Sequence, residues 1–115
     1  MKKIYYLSTC STCSRIIKEL KLDDAFDFQD IKTNKITIEQ IEEMHKLSGS
    51  YESLFSKRAM KYKAMGLKDK NLNEHDIKDL ILNEYTFLKR PVVLLDDKIF
   101  IGNTKKVVEA IANEL

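Results

Sequence analysis

The sequence predicts an α/β fold laid out as β-α-β-α, a helical insertion, and then β-β-α. Three observations carry that expectation. Short β-branched or aromatic runs recur at residues 3–7, 25–31, 92–95 and 99–101. Apolar stripes at helical spacing separate and follow them. Capping residues and glycines punctuate the joints between the two kinds of segment. At 115 residues, the chain is long enough to bury one core without staples. It is read as a single domain, 1–115, with the helical insertion at about 37–87 and neither repeats nor a Pro- or Gly-rich linker.

Lys3-Ile4-Tyr5-Tyr6-Leu7 opens as a short strand, and Ile16, Ile17 and Leu20 then recur at helical spacing. Ala25 to Ile31 reads as the second strand, with Phe26, Phe28 and, loosely, Ile31 as its apolar face. Thr37-Ile38-Glu39-Gln40 has the pattern of a capping box. Ile38, Ile41, Met44 and Leu47 form the stripe behind it, and Gly49 closes that helix. Residues 51–72 carry weaker signals: a short helix at Leu54-Phe55 and another from Met60 to Met65, closed by Gly66. Asn73 caps a helix whose inward residues are Ile77, Leu80 and Ile81. Val92 to Leu95 is a continuous apolar run suited to a central strand. Asp96-Asp97 turns it into Ile99-Phe100-Ile101. Gly102-Asn103 breaks that strand before a last helix marked by Val107, Val108, Ile111 and Leu115.

Composition narrows the function classes. Hydrophobic residues are 43% and charged residues 33% of the chain, and 20 basic against 18 acidic residues leave a net charge of +2. A general nucleic-acid surface calls for a concentrated basic excess, so no direct nucleic-acid partner is expected. The longest apolar runs are far shorter than a bilayer span, so no membrane partner is expected either. The basic start Met1-Lys2-Lys3 is followed by only four apolar residues, Ile4 to Leu7, which is not a signal peptide. The expected compartment is the cytoplasm. There a close cysteine pair is more often catalytic or metal-binding than a structural disulfide.

Both cysteines lie in Ser8-Thr9-Cys10-Ser11-Thr12-Cys13-Ser14-Arg15, at the junction of the first strand and the first helix. Unpaired N–H groups and aligned peptide dipoles at a helix start favour a thiolate over a thiol. The spacing suits an attacking sulfur at Cys10 and a resolving sulfur one turn on at Cys13. Two other readings fit the bare count. A zinc site needs about four ligands, and His45 and His75, expected to face solvent in charged helices, form no recognisable second pair. Two inert buried thiols are the other reading, though the stretch is polar. No metal is assigned.

Lys89-Arg90-Pro91 is the second informative stretch. Proline cannot donate to a sheet ladder and is awkward at the head of a central strand. A cis Arg90–Pro91 bond would accommodate it and present the preceding backbone to the active-site sulfur, whereas a trans proline at a strand edge is the plainer alternative. Arg90 is a candidate anion contact or simply a surface charge.

Three blocks now point to a family: Tyr6-Leu7-Ser8-Thr9-Cys10-Ser11-Thr12-Cys13, the run from Leu54 to Leu67, and Leu88-Lys89-Arg90-Pro91-Val92-Val93, with Gly102 fitting after the hairpin. The chain resembles the ArsC/Spx family over nearly its whole length. This family joins glutaredoxin-linked arsenate reductases to the Spx redox regulators of transcription. The resemblance implies a thioredoxin-like fold with a mixed four-stranded sheet. It places Cys10 on the arsenate-attacking cysteine and Arg90 on the oxyanion-binding arginine before a cis proline, Pro91. Arg58 stands for a second oxyanion-binding arginine in the insertion, displaced from its usual place. In the reductases, arsenate esterifies the cysteine, glutathione adds to the arsenic, and arsenite leaves after glutaredoxin-assisted reduction. No bound cofactor is implied; glutathione with glutaredoxin, or thioredoxin, is the implied reductant. Two departures point to the Spx branch: no arginine stands at the last hairpin, and a second cysteine, Cys13, is present. That alternative implies a Cys10–Cys13 switch and the RNA polymerase alpha subunit as partner. Gly49 lies near the surface used for it, although a helix-ending glycine explains that residue equally well.

Overall fold

Four consecutive apolar residues, Val92–Leu95, need cover on both faces, and they form a strand that is buried throughout. In the computed structural model, which describes residues 1–115, this strand lies inside a four-stranded sheet. The elements in chain order are β1 (Lys2–Tyr6), α1 (Ser11–Glu19), β2 (Asp27–Asp30), α2 (Ile38–Ser48), α3 (Met60–Ala64), α4 (Glu74–Asn83), β3 (Val92–Leu95), β4 (Lys98–Ile101) and α5 (Lys105–Glu114). Single 3-10 turns stand at Glu52–Leu54, Leu67–Asp69 and Tyr85–Phe87. The chain divides into two units: Met1–Lys35 with Arg90–Leu115, and Ile36–Lys89.

The first unit holds the sheet, ordered β2-β1-β3-β4. β1 and β2 are parallel, with Ile4 opposite Phe28, and the crossover between them is α1. β3 runs antiparallel to both β1 and β4, with Val93 opposite Ile4 and Phe100. The sheet is therefore mixed, as the thioredoxin-like plan requires. Asp96, at φ 55°, opens the two-residue β3–β4 turn. Asp tolerates this left-handed backbone better than most side chains. Ile4, Phe26, Val93, Leu95 and Ile111 form one buried cluster, which ties β1, β3 and α5 together.

The second unit is helical and begins with two reciprocal capping boxes. Thr37 and Gln40 satisfy each other's backbone N–H groups at the start of α2, and Asn73 and Asp76 do the same for α4. Ile41, Met44, Ile77 and Ile81 are buried. The Glu74 carboxylate accepts from the Tyr51 and Glu52 N–H groups at 2.7 and 3.0 Å, fixing the turn after α2 to the start of α4. Phe55 packs against Tyr62 and Phe87. Backbone bonds from Ser56 to Phe87 and from Lys89 to Leu54 join the two strands of chain on which these rings stand. The weak periodicity of 51–72 has a plain cause, because its elements are three to five residues long and none presents two full turns.

Several sequence expectations need correction. Phe26 and Phe28 do not share a face: Phe26 is buried in a bend before β2, while Phe28 is exposed. Alternation holds only inside the pleat, and the buried side chain of β2 is Gln29, whose amide donates to the Asn34 carbonyl at 2.9 Å. Ile38 is 54% exposed. A strict three-residue spacing drifts by about 60° per step around a helix, so only the middle members of the 38-41-44-47 run are fully buried. Leu47 and Leu80 are half-buried for the same kind of reason. Leu115 is the C-cap of α5, past its last turn, and is exposed. His75 is exposed, but His45 stacks on Tyr51 with ring centroids 4.1 Å apart.

Candidate active site

β1 ends at Tyr6, and the Cys10 N–H turns back onto the Leu7 carbonyl at 2.9 Å. This tight turn puts Cys10 at the N-cap of α1 with extended backbone, φ −92° and ψ 112°. Its carbonyl accepts the first helical bond, from Ser14 N–H at 3.1 Å. The turn is also held from β2. Ser8 Oγ donates to Asp30 Oδ2 at 2.5 Å, and the Lys32 N–H donates to Asp30 Oδ1 at 3.2 Å. The Ser8 hydroxyl, followed by the neighbouring backbone N–H groups, keeps the Asp30 carboxyl below its ordinary range.

A serine or threonine at the N-cap would close a full capping bond. The Cys10 thiol makes none, and no acidic side chain occupies the first turn of α1. The helix-start donors therefore remain directed at sulfur. Partial burial opposes ionisation of Cys10 and is the largest single influence on it. The Cys13 N–H, the Cys13 thiol, the Thr12 N–H and the Arg90 guanidinium together outweigh it, and the Cys10 pKa lies below its ordinary value.

Cys13 has the opposite character. Its side chain is buried on the inner face of α1 beside Ile16. Desolvation pushes its thiol up to about 11; the Leu7 N–H and the Arg90 charge oppose that rise, while the adjoining Cys10 sulfur reinforces it. At neutral pH the pair is thus asymmetric, with Cys10 the readier thiolate and Cys13 a thiol donating to it. Both cysteines are unbonded to each other.

Arg90 reaches this sulfur from the far end of the sequence because β3 lies beside β1. The Arg90–Pro91 bond is cis. Beyond it, the Gly102 N–H donates to the Pro91 carbonyl at 2.9 Å and the Asn103 amide donates to the Arg90 carbonyl at 3.2 Å. Gly102 sits at φ 94°, backbone that favours glycine. Cys10, Cys13 and Arg90 are in this way brought together, with Pro91 next to Arg90. Arg58 belongs to the second unit, where it is exposed in the stretch leading to α3.

Sequence reasoning missed Asp30 and Asn103. Asp30 carries no sequence signal beyond its place at a strand end, and Gly102-Asn103 signals only a strand break. No group of histidine, cysteine or carboxylate side chains is arranged to hold a metal ion. No helix is long and apolar enough to cross a membrane.

A possible arsenate reductase from Streptococcus mutans is similar in structure, with a TM-score of 0.74 and 28% identity over 96% of this chain and 97% of that one. An arsenate reductase from Vibrio cholerae shares the fold at TM-score 0.75 and 17% identity, covering 99% of this chain and 97% of its own. An arsenate reductase related protein from Brucella melitensis does so at TM-score 0.71 and 21% identity, covering 95% and 92%. No curated protein matches the chain. A sequence model of the ArsC family matches residues 5–111, from within β1 to the last turns of α5, and this chain belongs to the ArsC family.

Proposed function

We propose that this ArsC-family protein is a thiol-dependent reductase of arsenate or a similar small oxyanion. Cys10 is the nucleophile, Cys13 the resolving thiol and Arg90 the anion contact. The observation that carries the reading is the Cys10 sulfur at the start of α1, facing helix N–H groups and the Arg90 guanidinium. A thiolate approaching an anion meets repulsion, and a fixed cation with oriented N–H donors offsets it as charge develops on the oxyanion.

The reaction balances with two thiols. The Cys10 thiolate attacks arsenic(V), and one arsenic-bound oxygen leaves as water after taking up protons. Cys13 then loses its proton and attacks the Cys10 sulfur. The sulfur–arsenic bond breaks with its electron pair going to arsenic, which departs as arsenite. The two sulfurs carry the oxidation as a Cys10–Cys13 disulfide. A dithiol of the thioredoxin or glutaredoxin type reduces it by exchange. If Cys13 stays out of the cycle, glutathione supplies the second thiol.

The test is arsenite formation by the purified protein with glutathione and glutaredoxin, run beside Cys10→Ser and Cys13→Ser. Loss in both variants makes the pair a working dithiol. Loss only in Cys10→Ser makes glutathione the second thiol. No turnover by the reduced wild type would sink the oxyanion assignment.

One observation favours a second reading: the Cys13 thiol already touches the Cys10 sulfur from a buried position. A pair so placed suits a redox switch of the Spx kind, with the RNA polymerase alpha subunit as partner. Capture of that subunit that changes between reduced and oxidised protein supports it, and equal or absent capture removes it.

A further inference from the structure

Two consecutive residues after β4 clamp two consecutive carbonyls. The Asn103 side-chain amide holds the carbonyl of the cis Arg90–Pro91 peptide and the Gly102 N–H holds the carbonyl of the peptide that follows it. Both clamping residues stand on firm ground. Ile101 is paired in register with Val92, and Thr104 caps α5 by accepting from the Val107 N–H. Asn103 is held between those two anchors and is itself exposed, so it carries no part of the core. Its side chain spans thirteen residues of sequence to reach Arg90 rather than capping the helix beside it.

We infer that Asn103 is a positioning residue for the site: by fixing the Arg90 carbonyl it aims the Arg90 guanidinium at the Cys10 sulfur and at an oxyanion bound there. The inference rests on the reading of Arg90 as partner to that sulfur. Arg90 has a long side chain on a loop at the mouth of β3, and without a fixed backbone its head group would be shared among many rotamers. An asparagine amide suits the task, because it donates to a carbonyl without adding a charge beside the thiolate.

The test is the pH dependence of Cys10 alkylation by iodoacetamide in the reduced full-length chain, with the modified cysteine located by peptide mass spectrometry. Only the thiolate reacts, so the profile reports how strongly the sulfur is stabilised as an anion. Asn103→Leu keeps the size and removes the donor. Its Cys10 rate at acidic pH should fall about threefold, the scale of one modest hydrogen bond, with the rate at high pH unchanged. Asn103→Gln retains the donor and should recover most of the loss. Arg90→Gln should lose more than either. A wild-type profile in Asn103→Leu overturns the inference, and so does Asn103→Gln as impaired as Asn103→Leu, which would assign the effect to loop packing. If Arg90→Gln also leaves the profile unmoved, the reading of Arg90 fails with it; if Arg90→Gln alone slows the reaction, only the role of Asn103 is lost.

Discussion

The starts of α1 and α2 are built to opposite ends. At α2, Thr37 and Gln40 exchange hydrogen bonds, so that a helix-start donor is satisfied by its own cap, and Glu39 adds a negative charge in the first turn. α4 repeats the device with Asn73, Asp76 and Glu74. At α1 the N-cap is a cysteine without a full capping bond, and the first turn has no acidic residue. The donors that stabilise the other two helices are kept for a sulfur. The same peptide geometry contributes stability in one region and reactivity in the other, and the capping residue decides which.

The sharpest way to separate the two roles is Cys10→Ser. It should lower oxyanion turnover by more than about 1,000-fold, on the scale of losing a nucleophile. Serine is the better N-cap, so the same variant should be as stable as the parent or more stable by about 0.5 kcal/mol. A large loss of stability on denaturation would contradict the contrast.

The buried face of α1 supports the reactive end. Ile16 is fully buried on the same face as Cys13. Ile16→Ala should cost about 2–5 kcal/mol in urea unfolding, the range for a deep core truncation.

Cys13 makes a signature in pH. Its folded pKa is raised from 9.0 to about 11. Across that window the unfolded chain has released the Cys13 proton while the folded chain retains it. The contribution is therefore complete below 9.0 and is lost as pH rises to about 11. Cys10 runs the other way: its lowered pKa stabilises the fold above the ordinary thiol value and is lost as pH falls through the folded one, so its contribution is constant in the Cys13 window. The stability difference between wild type and Cys13→Ala, followed by denaturation from pH 8.5 to 11, should shrink with rising pH. A flat difference would show that Cys13 is not held as a buried neutral thiol.

The smallest effect belongs to α2. Thr37→Ala should cost about 1 kcal/mol of stability and leave Cys10 alkylation unchanged at every pH. A change in Cys10 reactivity would mean that the two helix starts are coupled.

Local pattern carried much of this molecule into view. Thr37 with Gln40 and Asn73 before its helix were legible because a cap is a contact over three residues. The run Val92–Leu95 was legible as a central strand because burial on both faces requires four apolar side chains in a row. The errors fell where a pattern was extended beyond its element. Phe26 stands in the bend before β2, outside the pleat that Phe28 belongs to, and the spacing of Ile38 and Met44 rotates their side chains apart. Asp30 and Asn103 were invisible for another reason: each acts on a residue far away in sequence.

By itself the sequence determined that a Cys-x-x-Cys stands between a strand and a helix, because β-strand and helix periods meet there and the capping chemistry is local. The tertiary structure alone decided what each sulfur is. Cys10 meets Arg90 only because β3 inserts beside β1, and Cys13 is pushed up to about 11 only because α1 buries it. Desolvation and the approach of a distant charge depend on which chain segments pack together. Two cysteines three residues apart carry no record of that until packing has buried one of them and left the other at the start of α1 beside Arg90.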